Sequence, residues 1–121
     1  MSAGLWLAAA ALGGVGAVLR FLLDGAVSRA VNRDFPYGTM VVNLTGAALL
    51  GLTSGLALRG QASVLLGAAL IGAYTTFSTW MLETQRLTEE GELGSAVANV
   101  VLSLALGLGA AAAGRAVGTL V

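Results

Sequence analysis

Gly60–Leu82 reads GQASVLLGAALIGAYTTFSTWML, 23 residues without a single charged side chain. At 1.5 Å of rise per residue, about 20 such residues in a helix cross the hydrocarbon of a bilayer. Three more charge-free windows occur in the chain: Met1–Leu19 (19 residues), Phe35–Leu58 (24) and Leu93–Gly114 (22). Their lengths predict four transmembrane helices. Composition points the same way. Of 121 residues, 57% are hydrophobic and 10% charged, against about 25% charged in soluble domains. A soluble fold this small could not build a polar surface from that supply. Barrel strands would alternate apolar and polar residues, and VLSLALGLGAAAAG (Val101–Gly114) does not.

Met1–Leu19 carries no Lys or Arg ahead of its apolar stretch, so it lacks the basic start of a signal peptide and is expected as a retained first helix. Pro36 biases the residue before it away from helical geometry, so the second helix is expected to start there. Helices are expected over about 3–30, 36–58, 62–84 and 93–120, forming one domain, 1–121. With alternating direction, Arg20, Arg29, Arg33 and Arg86 fall toward one membrane face and Arg59 and Arg115 toward the other. That bias is weak under the positive-inside rule and leaves the orientation open. The chain has no Cys or His, which excludes thiol chemistry, disulfides and histidine-based catalysis or metal binding. No nucleophile–base pair or phosphate-binding loop is present, so an enzyme is not expected. Zero net charge without a basic run excludes nucleic acid as a partner.

Small residues recur every four positions: Ala9-Gly13-Ala17, Ala47-Gly51-Gly55, Ala68-Gly72 and Ala105-Gly109-Ala113. Such rows let helices approach closely in lipid. Polar groups in hydrocarbon must be satisfied or used. Asn43 sits mid-window in the second helix, where either an interhelical hydrogen bond or a site role is open to it. Asn99 and Ser103 lie one turn apart on the fourth helix. On a continuous helix Thr75, Thr76, Thr79 and Glu83 share one arc, with Trp80 at its edge and Phe77 beyond. Hydroxyl donors beside ring edges, which carry partial positive charge, suit a small anion; the same hydroxyls can instead join helices. No carboxylate lies in mid-membrane, as a cation path would need. Gly72 followed by Tyr74 and two β-branched threonines makes a poor helix interior, so the third helix is expected to break near its middle and free carbonyls that can coordinate a cation.

Three segments, in order and spacing, resemble the Fluc (CrcB) fluoride channels of bacteria. GGVGAVLRF (Gly13–Phe21) is similar to that family's GGxxGAxxR, PYGTMVVNLTGAALLG (Pro36–Gly51) to its P-x-GT-x-x-VN-x-x-G, and GAYTTFSTWMLE (Gly72–Glu83) to its GG-x-TTFSTF-x-x-E. The resemblance covers nearly the whole chain. It implies an all-α membrane protein that forms an antiparallel, dual-topology dimer and exports fluoride passively across the bacterial plasma membrane. It implies pore roles for Asn43, Phe77, Ser78 and Thr79, with Arg20 at a vestibule. It also implies a structural Na⁺ held by backbone carbonyls at Gly72 and Thr75. Two positions depart from the pattern. Trp80 replaces the second Phe of the motif, and Asn99 stands where many members have Tyr, a turn before Ser103. The expected partners are fluoride, membrane lipid and a second copy, identical or paralogous. Two other readings are weighed: a small multidrug-type antiporter, for which Met1–Leu19 lacks the required carboxylate, and a non-conducting membrane subunit.

Overall fold

The computed structural model describes all residues, Met1–Val121, and contains helices only. Helix α1 spans Ala3–Val31. Ser2 caps it by accepting the Leu5 N–H at 3.1 Å, and Asn32, in the left-handed region at φ 49°, closes it. Helix α2 spans Tyr37–Gly55, starting after Pro36 as its fixed φ allows. It ends at Gly55 rather than at Leu58, because Ala57 turns left-handed at φ 55°. Helix α3 covers residues 60–74, with a π-helical stretch Ser63–Ile71 between short α turns. Helix α4 spans Ser78–Glu89 and α5 spans Leu93–Leu120.

Three segments are long and apolar enough to cross a membrane: α1, α5 and the bent pair Gly60–Glu89 formed by α3 and α4. Helix α2, 19 residues with Asn43 and several hydroxyls, is not among them. Only 13 of the 121 residues are buried, so most leucines and valines face outward, as they do where lipid is the solvent.

Helix α2 is held mainly by α5. The seam is glycine against backbone. A methyl group placed on Gly118 would lie 2.6 Å from the Leu52 carbonyl and 2.9 Å from Gly55 Cα. Gly51 meets Ala111, and Gly114 meets Ala48, in the same way. The row used on α5 is therefore Ala111-Gly114-Gly118, not Ala105-Gly109-Ala113, since Gly109 has open space around it. The crossing brings the second half of α5, not its middle, onto α2. On α1 the closest approach is at Gly16, which is buried against Leu70 and Tyr74. Gly13 is only in ordinary contact with Ala69 and Ala73 at 3.9 Å. Gly38, at the start of α2, lies against Asp24 and Ser28 of α1.

Candidate functional site

The bend between α3 and α4 falls at Thr75–Phe77. Thr75 swings to extended geometry (φ −80°, ψ 161°), a region that β-branched residues prefer. Its N–H bonds back to the Ile71 carbonyl at 3.0 Å, and its hydroxyl donates to the same oxygen at 3.2 Å. The Thr75 carbonyl accepts no hydrogen bond. Thr76 starts the next helix: its Oγ1 accepts the Thr79 N–H at 3.2 Å, which satisfies one donor of the first turn of α4.

Asn43 of α2 stitches the open backbone. Its Nδ2 donates to the Thr76 carbonyl at 2.8 Å, and its Oδ1 accepts the Thr76 N–H at 2.8 Å. One carboxamide thereby replaces both helical bonds that the Thr76 peptide gives up. The carboxamide also faces a groove of about 380 Å³, lined among others by Thr75, Thr76, Phe77, Trp80 and Ser103. Gly72 borders it as well.

Phe77 is 70% exposed in the single chain. Its ring meets Trp80 edge to face, with centroids 5.7 Å apart at 84°, the geometry that brings the positive edge of one ring onto the negative face of the other. The Trp80 Nε1–H donates to the Asn99 carbonyl at 3.1 Å, so it is not free for a ligand. The Ser103 hydroxyl on the groove wall is buried and has no partner, and neither does Asn99 Oδ1.

A second cavity, about 230 Å³, is lined by Arg20, Asp24, Thr39, Thr76 and Thr79. Thr76 is the one polar residue common to both cavities. The arc expected on a continuous helix is therefore divided. The bend turns Thr75 toward the groove and Thr79 toward the Arg20 cavity, with Thr76 between them. Glu83 is half-buried and accepts a hydrogen bond from Thr39, a lining residue of the second cavity; it does not line the groove. Ser78 is exposed and lines neither cavity, 3.4 Å from the Thr76 hydroxyl.

Asn43, Phe77, Trp80 and Ser103 thus come together at the groove with Gly72 and Thr75, while Arg20 and Thr79 share the second cavity. Thr39 is not among the residues singled out from the sequence, and Thr76 enters there only as one member of the hydroxyl arc. The signal for Thr39 lay in the GT pair that opens α2, facing the acid at the end of the TTFST segment. Outside both cavities Arg86 bridges Asp34 and Glu90 at 3.3 and 3.1 Å, tying the α1–α2 loop to α4.

Residues 7–115 match the family described as CrcB-like protein, Camphor Resistance (CrcB). A protein of Mycolicibacterium paratuberculosis named fluoride-specific ion channel FluC 2 is 59% identical over 117 residues, covering 97% of this chain and 96% of that protein. A Mycobacterium tuberculosis protein of the same name is 55% identical over 115 residues, covering 95% and 91%. Fluoride-specific ion channel FluC 1 of Streptomyces avermitilis is 48% identical over 113 residues, covering 90% and 91%.

Proposed function

The chain belongs to the CrcB-like family, and from that premise we propose that it is a fluoride-selective channel of a bacterial plasma membrane. It lets F⁻ leave the cytoplasm passively. The relatives named as fluoride-specific channels match it end to end, and the groove at the bend suits a small, strongly hydrated anion. The observation that carries the reading is the Ser103 hydroxyl, buried and unpartnered on a groove wall that has no acidic residue. A donor left without an acceptor is an uncompensated loss unless a ligand or water uses it. The exposed ring of Phe77 adds a weakly positive edge to the same groove, and the Phe77 N–H is an unbonded full donor at the bend.

The conducting unit is an antiparallel dimer in which α2 is the fourth crossing helix of each copy. Gly67, Gly72 and Gly107 line the open side of the groove, and no neighbouring helix covers them. A second copy closing on this side would convert an open groove into an enclosed path. The weak bias of arginines, four toward one face and two toward the other, suits insertion in both orientations. The same arrangement provides for a structural Na⁺. The Thr75 carbonyl accepts no hydrogen bond and Gly72 lies exposed beside it, so these two positions would hold the ion. Bound there, it would neutralise carbonyl dipoles left open by the bend.

The experiment is fluoride efflux from proteoliposomes holding only this chain, read by a fluoride electrode with a K⁺ ionophore to relieve charge build-up. Rapid F⁻ efflux that a Cl⁻ load does not reproduce is the expected result. A folded dimer that releases no fluoride overturns the reading.

A further inference from the structure

We propose that Asn99 is a positioning residue that clamps the indole of Trp80, so that Trp80 turns only carbon-bound hydrogens toward the groove. The inference rests on the channel reading above.

Three hydrogen bonds close a ring between α4 and α5. The Trp80 indole N–H donates to the Asn99 main-chain carbonyl at 3.1 Å, so the Asn99 side chain acts on the indole by fixing where that carbonyl lies. Asn99 Nδ2 donates to Thr84 Oγ1 at 2.9 Å. Thr84 Oγ1 donates to the Trp80 carbonyl at 2.9 Å, which Nδ2 also faces at 3.5 Å. Trp80 is therefore held at the tip of its ring by the Asn99 main chain and at its own carbonyl by the Thr84 hydroxyl, which the Asn99 side chain holds in place. The chain of donors fixes the amide orientation. The Thr84 hydroxyl spends its hydrogen on the Trp80 carbonyl, so it can only accept from Asn99, and Nδ2 must point at it. Oδ1 is then the atom left without a partner. Asn99 is 1% exposed, so water does not compete for the three bonds that are made, and in a low-dielectric interior each holds its partners more tightly than in water.

The clamp bears on conduction. A free indole N–H is a full hydrogen-bond donor and would hold a passing anion. A ring edge attracts it weakly and lets it go, and a conducting site must bind weakly enough to release. Spending the N–H on α5 makes the larger Trp80 behave as an edge-on phenyl ring would, perpendicular to Phe77 at 84°.

The test uses the full chain with Trp6→Phe, which leaves Trp80 as the only indole of the two Trp present; Trp6 is 63% exposed and remote from the groove. In this background Asn99→Leu and Thr84→Val should each shift the Trp80 emission and lower fluoride efflux about tenfold, and Thr84→Ser should keep both. Repeated in Trp80→Phe, which has no N–H to clamp, Asn99→Leu should cost about fivefold less than it does with Trp80 present. An equal cost in both backgrounds overturns the proposal, because Asn99 would then act without Trp80. Unchanged emission in a folded Asn99→Leu or Thr84→Val chain also overturns it. If Asn99→Leu does not fold, Thr84→Val reads the same ring of bonds with Asn99 intact. If the emission shifts while even the Trp6→Phe parent releases no fluoride, the clamp stands and the channel reading falls.

Discussion

The Asn43 carboxamide hydrogen-bonds both the N–H and the carbonyl of Thr76, each at 2.8 Å. It acts as a surrogate peptide unit from another helix, and it makes the bend affordable in a medium without water. A chain that opens its backbone inside hydrocarbon must satisfy the groups it exposes, and one side chain does so for the whole Thr76 peptide.

Asn43→Ala should therefore remove a support of the bend. Two backbone groups lose their partners, at a cost of about 2 kcal/mol. The expected result is a lowered midpoint in a heat-step size-exclusion assay, together with loss of efflux. Asn43→Asp should do worse, because a carboxylate would face the Thr76 carbonyl. A thermal midpoint equal to that of the parent for both variants would show that the pairing is not what holds the bend.

Phe77→Leu separates site from scaffold. Phe77 is 70% exposed in the single chain, so the variant should fold, with its stability lowered only by the one ring contact it gives up. The edge-to-face contact with Trp80 is lost, and with it about 1 kcal/mol of ring interaction. Fluoride efflux should fall by roughly tenfold while detergent-solubilised chains remain monodisperse. Undiminished efflux would remove Phe77 from the site.

Gly118→Val and Gly109→Ala test the seam between α2 and α5. A Cβ on Gly118 would meet the Leu52 carbonyl at 2.6 Å, and backbone cannot step aside as a side-chain tip can. The clash should cost about 1–3 kcal/mol or more and lower the yield of folded chain. Gly109→Ala, with nothing within 4 Å, should be neutral or gain about 1 kcal/mol in helix propensity. Equal thermal midpoints for the two variants would place the seam elsewhere.

At the loop end, Asp34, Glu90 and Glu92 bring carboxylate oxygens within 4.8 Å of one another. The Glu92 carboxyl, and then the Arg86 guanidinium, hold Asp34 below the usual carboxylate range; Asp34 in turn pushes Glu92 above it. The lowered Asp34 contributes stability that is present at neutral pH and lost as pH falls through its folded value. The raised Glu92 contributes stability that is present in acid and lost as pH rises through its folded value. The contact between the two loops should thus be tightest in the weakly acidic window between the two titrations. Carboxyl ¹³C shifts followed against pH should show Asp34 titrating first from the acid side and Glu92 last. Glu92→Gln should change the Asp34 titration; an identical Asp34 curve in that variant would break the link.

Much of this was legible before any coordinates. Charge-free length located the three segments long and apolar enough to cross a membrane but did not separate them from α2, which is not among them, and Gly72 with two threonines announced a weak point in the third helix. Other features were hidden for identifiable reasons. Asn43 pairs with a backbone peptide, and a sequence carries no mark of which peptide a side chain will meet. The hydroxyl track looked continuous because a helical wheel assumes a continuous helix; the bend at Thr75–Phe77 sends Thr79 to a different cavity. The α5 contact row could not be chosen because small residues recur in several registers, and only the crossing with α2 selects Gly114 and Gly118. The π-helical stretch Ser63–Ile71 left no sign in its apolar run.

The glycine seam also sets an order of events during synthesis. Helix α2 is the segment with the least apolarity to enter the bilayer by itself, yet the surface that covers it belongs to α5, which leaves the ribosome only after α3 and α4 have been made. Until α5 arrives, the nascent chain holds an Asn-bearing helix with its close-packing face unsheltered. The α2 seam must therefore close only once Gly114 and Gly118 have been made, and nascent chains arrested before Gly114 should be the form that membrane quality-control proteases remove.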